Sequence, residues 1–296
     1  RTWVNDIQCA CLVDDLTASG FIGLQVHNIS HKDQEGQKIR WKNIRIMTED
    51  LESHRLQPDP EVPEISYLNN TLTEREIKEG WKLLWDGETT ADWRGAKMEH
   101  FPENGWEIKD GVLTVLESGG GESENGGDII TEKTFGNFIL QLDFSITEGA
   151  NSGIKYFVDP DLNKGPGSAI GCEFQILDNK NHPDAKMGTA GNRTLGSLYD
   201  LIAAQAATDK LKGYMFNGIG TWNRAMILVE GCNVKHYLNN IKVVEYERCS
   251  QNWKDLVAKS KYKDWPDFGE AKNGYILLQD HGNTVSFKNI KILELK

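Results

Sequence analysis

Gly274-Tyr-Ile-Leu-Leu-Gln-Asp-His281 reads as a β-strand, and Gly20-Phe-Ile-Gly-Leu-Gln-Val-His27 is its near-copy far upstream. Side chains alternate faces along an extended chain, so Ile276 and Leu278 share one side and Gln279 and His281 the other. The likeness extends outward from that stretch. Ile39-Arg-Trp-Lys-Asn-Ile-Arg-Ile46 matches Val285-Ser-Phe-Lys-Asn-Ile-Lys-Ile292, and Trp3-Val-Asn-Asp-Ile7 echoes Tyr237-Leu-Asn-Asn-Ile241. Three blocks in the same order make an internal repeat. Residues 1–47 are therefore expected to be the last strands of a truncated first copy of a domain, and 80–296 a complete second copy. Between them, 48–79 is acidic and carries Pro58, Pro60 and Pro63, which predicts a linker. It ends in one short helix opened by a capping box at Thr73-Glu-Arg-Glu76. A few strands without a partner sheet leave edges unpaired and bury no core, so residues 1–47 need a surface to dock on, self-association included.

Alternating runs dominate the second copy. Strands are expected at Trp106–Leu116, Phe135–Ile146, Gly153–Val158, Cys172–Leu177, Ala225–Glu230, Asn233–Leu238, Lys242–Tyr246, Tyr275–Leu278 and Val285–Leu293. Leu238-Asn-Asn-Ile241 has the composition of a two-residue hairpin turn, because asparagine tolerates positive φ. Helix is expected only over Ser250–Ser260 and Leu198–Ala206. Many short strands with few helices predict an all-β, two-sheet sandwich or jelly roll.

Composition narrows the partners. The chain has 296 residues with 44 acidic and 33 basic side chains, a formal charge of −11. A phosphate-binding face must be basic, so nucleic acid and anionic membrane surfaces are disfavoured. No run approaches the roughly 18 apolar residues of a membrane span. Nine tryptophans and 29 glycines suit turn-rich β structure and sugar-stacking surfaces. The five cysteines, at 9, 11, 172, 232 and 249, lack zinc-ligand spacing and are expected as buried free thiols. Cys232 and Cys249 flank one predicted hairpin and can approach each other. The chain starts at Arg1 with neither a methionine nor a signal peptide, as expected of a processed or missing start.

The candidate site follows from the same alternation. In Gly171-Cys-Glu-Phe-Gln-Ile-Leu-Asp178, Phe174 and Ile176 face the core and leave Glu173 and Gln175 on the open face. Lys155 takes the open face of its strand, as do Gln279 and His281 of theirs. If these strands share a sheet, the five form one polar platform; the plainer alternative is an ordinary solvated outer face. The loops Asp178–Lys186 and Gly191–Asp200 are dense in titratable groups, among them His182, Asp184, Arg193 and Tyr199. Asp178, His182 and Asp184 make a weak divalent-metal pattern, and no metal or other cofactor is expected. No Gly-x-Ser-x-Gly elbow, P-loop or His-Glu-x-x-His helix occurs. Glu173-x-Gln175-x-x-Asp178 partly resembles the Glu-x-Asp-x-x-Glu strand of retaining jelly-roll glucanases. That chemistry needs two carboxylates about 5–5.5 Å apart, whereas here glutamine replaces the middle acid and Asp178 has the wrong parity.

Gly80-Trp-Lys-Leu-Leu-Trp-Asp-Gly87, Trp93-Arg-Gly95, Asn151-Ser-Gly-Ile-Lys-Tyr-Phe157, Glu173-Phe-Gln-Ile-Leu-Asp178, Gly220-Thr-Trp-Asn223 and Leu278-Gln-Asp-His-Gly282 follow in order. Together they resemble the 3-keto-disaccharide hydrolase family over about residues 80–296. The resemblance implies a concanavalin-like jelly roll, export to the periplasm or cell exterior, and cleavage of glycosides oxidised at the sugar 3-position. A 3-keto group acidifies the hydrogen on C2, so one base, one acid and oxyanion stabilisation suffice. Glu173 and His281 suit the acid–base roles, and Lys155 or Arg193 the enolate charge. Trp222 and Tyr199 can stack on a pyranose, while Gln175, Gln279 and Asn151 bond hydroxyls, with Asp178 and His182 nearby. Relatives carry arginine where Phe157 stands; Lys155, expected on the same strand face, is the substitute. The expected partner is an oligosaccharide or keto-glycoside. A conventional glycoside hydrolase and a non-catalytic carbohydrate-binding module remain the alternatives.

Overall fold

The computed structural model describes residues 1–119, 121–205, 216–265 and 267–296. They form two compact units, Arg1–Leu68 and Asn69–Lys296. In the first, β1 (Thr2–Val4), β2 (Ile7–Val13) and β3 (Glu64–Ser66) make a small sheet in that order. The β1–β2 hairpin turns at Asn5 and Asp6, both with positive φ, and β3 lies parallel to β2. The segment expected as a linker thus supplies a strand here. Gly20–His27 and Ile39–Ile46, expected as strands, make no sheet pairing. Their counterparts sit in the middle of sheets, and this unit offers no such neighbours.

The second unit opens with α1 (Glu74–Glu79), whose capping box forms as expected between Thr73 and Glu76. Thirteen strands follow: β4 (Lys82–Leu83), β5 (Trp93–Gly95), β6 (Trp106–Lys109), β7 (Val112–Val115), β8 (Ile129–Phe135), β9 (Phe138–Ile146), β10 (Asn151–Asp159), β11 (Ile170–Leu177), β12 (Asn223–Glu230), β13 (Asn233–Leu238), β14 (Ile241–Glu247), β15 (Gly274–Leu278) and β16 (Val285–Glu294). The run expected as one strand over 106–116 folds back at Asp110-Gly111, where both residues take positive φ. One sheet has the order β11-β10-β15-β8-β5; the other runs β14-β13-β12-β9-β16-β7-β6, with β4 pairing to β16. Neighbouring strands pair antiparallel throughout this unit. This unit is a jelly-roll β-sandwich. Helix α2 (Gln251–Val257) is capped by Ser250, whereas Leu198–Ile202 forms a bridged turn; Ala206 lies outside the described residues.

Alternation explains the core. Phe138, Leu140, Leu142, Phe144 and Ile146 of β9 all turn inward and are buried, facing Ile154, Phe174 and Ile276 of the other sheet. Burying each such side chain contributes roughly 1.5–3 kcal/mol. One polar trio inside is mutually bonded: Tyr156 Oη lies 2.7 Å from His236 Nε2 and 2.8 Å from Tyr246 Oη. Burial lowers the His236 pKa to about 4, so the ring is neutral in the folded protein.

Two expectations need correction. Cys232 and Cys249 are disulfide-bonded, because the β13–β14 hairpin brings their Cα atoms to 5.9 Å; Cys9 is exposed, and only Cys11 and Cys172 are buried thiols. Phe157 does not share a face with Lys155. A bulge in β10 puts Phe157 at φ 53°, next to Tyr156 in the core, where the Arg248 guanidinium lies 3.8 Å from its ring centroid. Gly274 lets β15 pass, since any Cβ there would collide with the Phe157 backbone.

Candidate functional site

Pairing of β10 with β11 sets Lys155 opposite Glu173 and Gly153 opposite Gln175. Pairing of β10 with β15 brings up the next strand, and the Gln279 N–H donates to the Gly153 carbonyl (3.0 Å). Glycine at 153 leaves room for the Glu173 carboxylate, which lies across that position where a Cβ would overlap it. Glu173 is only 3% exposed. Its Oε2 is 3.8 Å from Lys155 Nζ, and the Gln175 amide lies 2.9 Å from Oε1 and 3.2 Å from Asn151 Oδ1. Burial raises the Glu173 pKa, opposed by the charges of Lys155 and Lys261. A carboxylate raised in this way is a better base near neutrality than a solvated one.

Lys155 is fully engaged. Its ammonium donates to Ser168 Oγ and to the Ala169 carbonyl (3.2 Å), and its remaining side faces Glu173. Ser168 Oγ donates to Asp128 Oδ2, while Asp128 Oδ1 accepts from Ser123 Oγ and the Asp280 N–H, each at 3.0 Å. Burial raises the Asp128 pKa against the pull of Lys155. A buried chain Asp128–Ser168–Lys155–Glu173 therefore runs beneath the platform. Lys155 opens onto a cavity of about 220 Å³ shared with Glu122, Lys261, Tyr262 and Trp265. Asp128 lines a second cavity of about 470 Å³, and Pro166 and Gly167 border both. Gln279 Nε2 donates to Glu122 Oε1 (2.9 Å), tying the glycine-rich strap around residues 121–127 across the platform.

His281 and His182 meet edge to face with ring centroids 6.0 Å apart. His281 Nδ1 is buried without a partner, as is Gln279 Oε1. His182 Nδ1 accepts from the Asp184 N–H, and burial together with the neighbouring His281 keeps the His182 pKa low. Tyr199 Oη donates to Asp184 Oδ2 (2.7 Å), and its ring carries the Lys261 ammonium 4.2 Å from the centroid.

The structure thus brings together Glu173, Lys155, Gln175, Gln279 and Asn151, with Tyr199 beside them through Lys261, and with the His182–His281 pair at the end of β15. Three other residues are placed differently. Arg193 is neutralised by Asp184 (3.0 Å) and Asp200 (2.7 Å), which leaves it holding the loop and not a substrate anion. Asp178 accepts from the Gly149, Lys180 and Asn181 N–H groups and the Asn181 amide; burial raises its pKa, but these bonds outweigh it and hold the pKa low. Trp222 precedes β12 in the opposite sheet and stacks against Lys288 at 4.4 Å, away from this platform. Among the described residues, no three His, Cys, Asp or Glu side chains come together as a metal site.

Lys261, Glu122, Asp128 and Ser168 are absent from the sequence-based set. The turn carrying Lys261 follows α2 and is held by aromatic stacking: Tyr246 on Trp253 (5.2 Å), Trp253 on Phe268 (6.0 Å) and Phe268 on Tyr262 (4.0 Å). That aromatic spacing was the available signal, but only the folded sheet aims it at Glu173.

Residues 80–293 match the family described as the 3-keto-alpha-glucoside-1,2-lyase-like domain. A 3-keto-disaccharide hydrolase of Bacteroides thetaiotaomicron is 36% identical over 234 residues, covering 72% of this chain and 78% of the relative. A crystal structure of a proposed glycosyl hydrolase from Parabacteroides distasonis superimposes with a TM-score of 0.65 at 31% identity, covering 77% of this chain and 100% of that one. A second such structure from the same organism gives 0.53 at 26% identity, covering 73% and 99%.

Proposed function

The chain belongs to the 3-keto-alpha-glucoside-1,2-lyase-like family, and on that premise we propose that this hydrolytic enzyme cleaves 3-keto-glycosides by elimination and hydration. The observation that carries the reading is Glu173: a buried carboxylate with raised pKa, set over Gly153 and faced by Lys155. Glu173 removes the C2 proton, and the electron pair moves to the C3 ketone as an enolate. As the enolate collapses, the bond from C1 to the glycosidic oxygen breaks, leaving a carbon–carbon double bond between C1 and C2. The leaving oxygen takes a proton from His281. Water then adds its hydroxyl to C1 and gives its proton to His281, and Glu173 returns its proton to C2, so both groups are restored and the net change is hydrolysis. Lys155 keeps Glu173 charged and in place, and Gln175, Gln279 and Asn151 offer hydrogen bonds to sugar hydroxyls. Because Glu173 is almost fully covered, the strap held by the Gln279–Glu122 bond has to lift before a sugar carbon reaches it.

The test is incubation with a 3-keto-glucoside beside the unoxidised glucoside, in deuterated water. Cleavage of the keto sugar with deuterium entering C2, and loss of about 10³-fold in rate for Glu173→Gln, supports the reading. Cleavage of the unoxidised sugar alone identifies a conventional hydrolase instead. Binding without turnover of either identifies a carbohydrate-binding module.

Two companion assignments rest on separate observations. Export to an oxidising compartment, periplasmic or extracellular, is supported by the Cys232–Cys249 disulfide. Residues 1–47 are assigned as closing strands of another sandwich of this kind, supported by the repeat and by the shared turn conformation of β1–β2 and β13–β14.

A further inference from the structure

We propose that Lys261 is the catalytic cation that holds the negative charge on the substrate's 3-oxygen; the assignment rests on the keto-glycoside reading above. Among the described residues three cations are near enough to be considered, and two are already committed. The Arg193 guanidinium is paired with Asp184 and Asp200. The Lys155 ammonium serves Ser168 and Ala169 and faces Glu173. Lys261 has aromatic faces beneath it instead: Tyr199 at 4.2 Å and Tyr262 at 5.2 Å. No carboxylate among the described residues lies within ion-pairing distance of its Nζ, so its donors are available to a ligand.

Its position suits the task. Lys261 lines the same 220 Å³ cavity as Lys155. Burial of its surroundings lowers its pKa, opposed first by the charge of Glu173, which places the two groups in mutual range. The base and the oxyanion partner of an enolisation sit on adjacent carbons of one sugar, so they must flank one ring. Glu173 on β11 and Lys261 on the turn after α2 approach from separate elements. The backbone supports this placement: the Lys261 N–H donates to Asp200 Oδ2 (2.8 Å), and the stacked Tyr262 is anchored through Phe268 to the buried Trp253. Aromatic faces stabilise a cation without neutralising it, so the full charge remains for the enolate.

The decisive comparison uses the whole chain with Lys261→Met, which keeps the length of the side chain and removes its charge, and Lys261→Arg, which keeps the charge. Steady-state kinetics on a 3-keto-glucoside and the rate of C2 deuterium exchange are measured for each. The expected result for Lys261→Met is a loss of about 10²–10³-fold in kcat and in exchange, with KM within about threefold and an unchanged unfolding temperature. Lys261→Arg is expected to recover most of the loss. A Lys261→Met enzyme within about threefold of the parent kcat overturns the assignment while leaving the keto-glycoside reading intact. So does a loss confined to KM or traced to unfolding, with no recovery by arginine. A parent chain that turns over no 3-keto-glucoside overturns the reading, and this assignment with it.

Discussion

Two stretches with nearly the same sequence have opposite fates in this molecule. Asn5-Asp6 and Asn239-Asn240 make the same hairpin turn, with φ of 49° and 65° in one and 47° and 67° in the other. Asn43 and Asn289 likewise share a positive φ, 56° and 55°. Yet Ile22 is 74% exposed where its counterpart Ile276 is fully buried, and Ile44 is 66% exposed where Ile290 is fully buried. Backbone conformation at the turns is a local property, written in asparagine and aspartate that tolerate the left-handed region. Burial is not. Strands β15 and β16 are covered because β8, β10, β7 and β9 lie on either side of them, and residues 20–46 have no such neighbours within their own unit.

The largest test of that contrast is hydrogen exchange. Amides of β15 and β16 are expected to exchange at least about 10⁴-fold more slowly than those of residues 20–27 and 39–46, because the former open only with the sandwich. Comparable protection in the two would break the comparison. Next in size is a paired truncation. Ile276→Ala is expected to lower the unfolding free energy by about 2–5 kcal/mol in urea, and Ile22→Ala to change it by less than about 0.5 kcal/mol.

A pH titration of stability sharpens the contrast between the two hairpins. His236 on β13 has a folded pKa near 4, below its unfolded value of about 6.5. The unfolded chain therefore binds more protons between those values, and stability falls as pH drops from about 6.5 to 4. The expected loss is about 3 kcal/mol, and it should vanish in His236→Gln. The first hairpin carries Thr2 at the equivalent position and has no such term. The smallest effect tests the shared property: Asn240→Ala and Asp6→Ala each place alanine in the left-handed region, at about 1 kcal/mol locally. Only the former should register in the global unfolding of the sandwich.

The same division between local and distant information explains what was readable beforehand. Alternation within single strands located β9 to β15 and grouped Glu173, Gln175, Lys155 and Gln279, but it expected them on an open face, whereas all four are buried. It failed where a fact depends on which strand lies alongside. The bulge at Phe157 reverses the parity of β10 and takes that ring into the core, which strict alternation cannot anticipate. Trp222 has the chemistry of a sugar-stacking residue but belongs to the other sheet. Lys261 carries no pattern of its own: its relation to Glu173 arises from an aromatic stack that only the folded chain assembles. Asp128 meets Ser168 and the Asp280 backbone across long sequence separations, a coincidence no spacing rule encodes.

The thiols offer a practical way into the N-terminal unit. Cys172 is buried with its pKa pushed up to about 12, Cys11 is buried, and Cys232 and Cys249 consume each other, so Cys9 on β2 is the one cysteine open to solvent. A maleimide dye added to the native chain should therefore label a single position, on the hairpin of the N-terminal unit. Its emission would shift if that face became covered by another sheet, giving an optical reporter without any engineered cysteine.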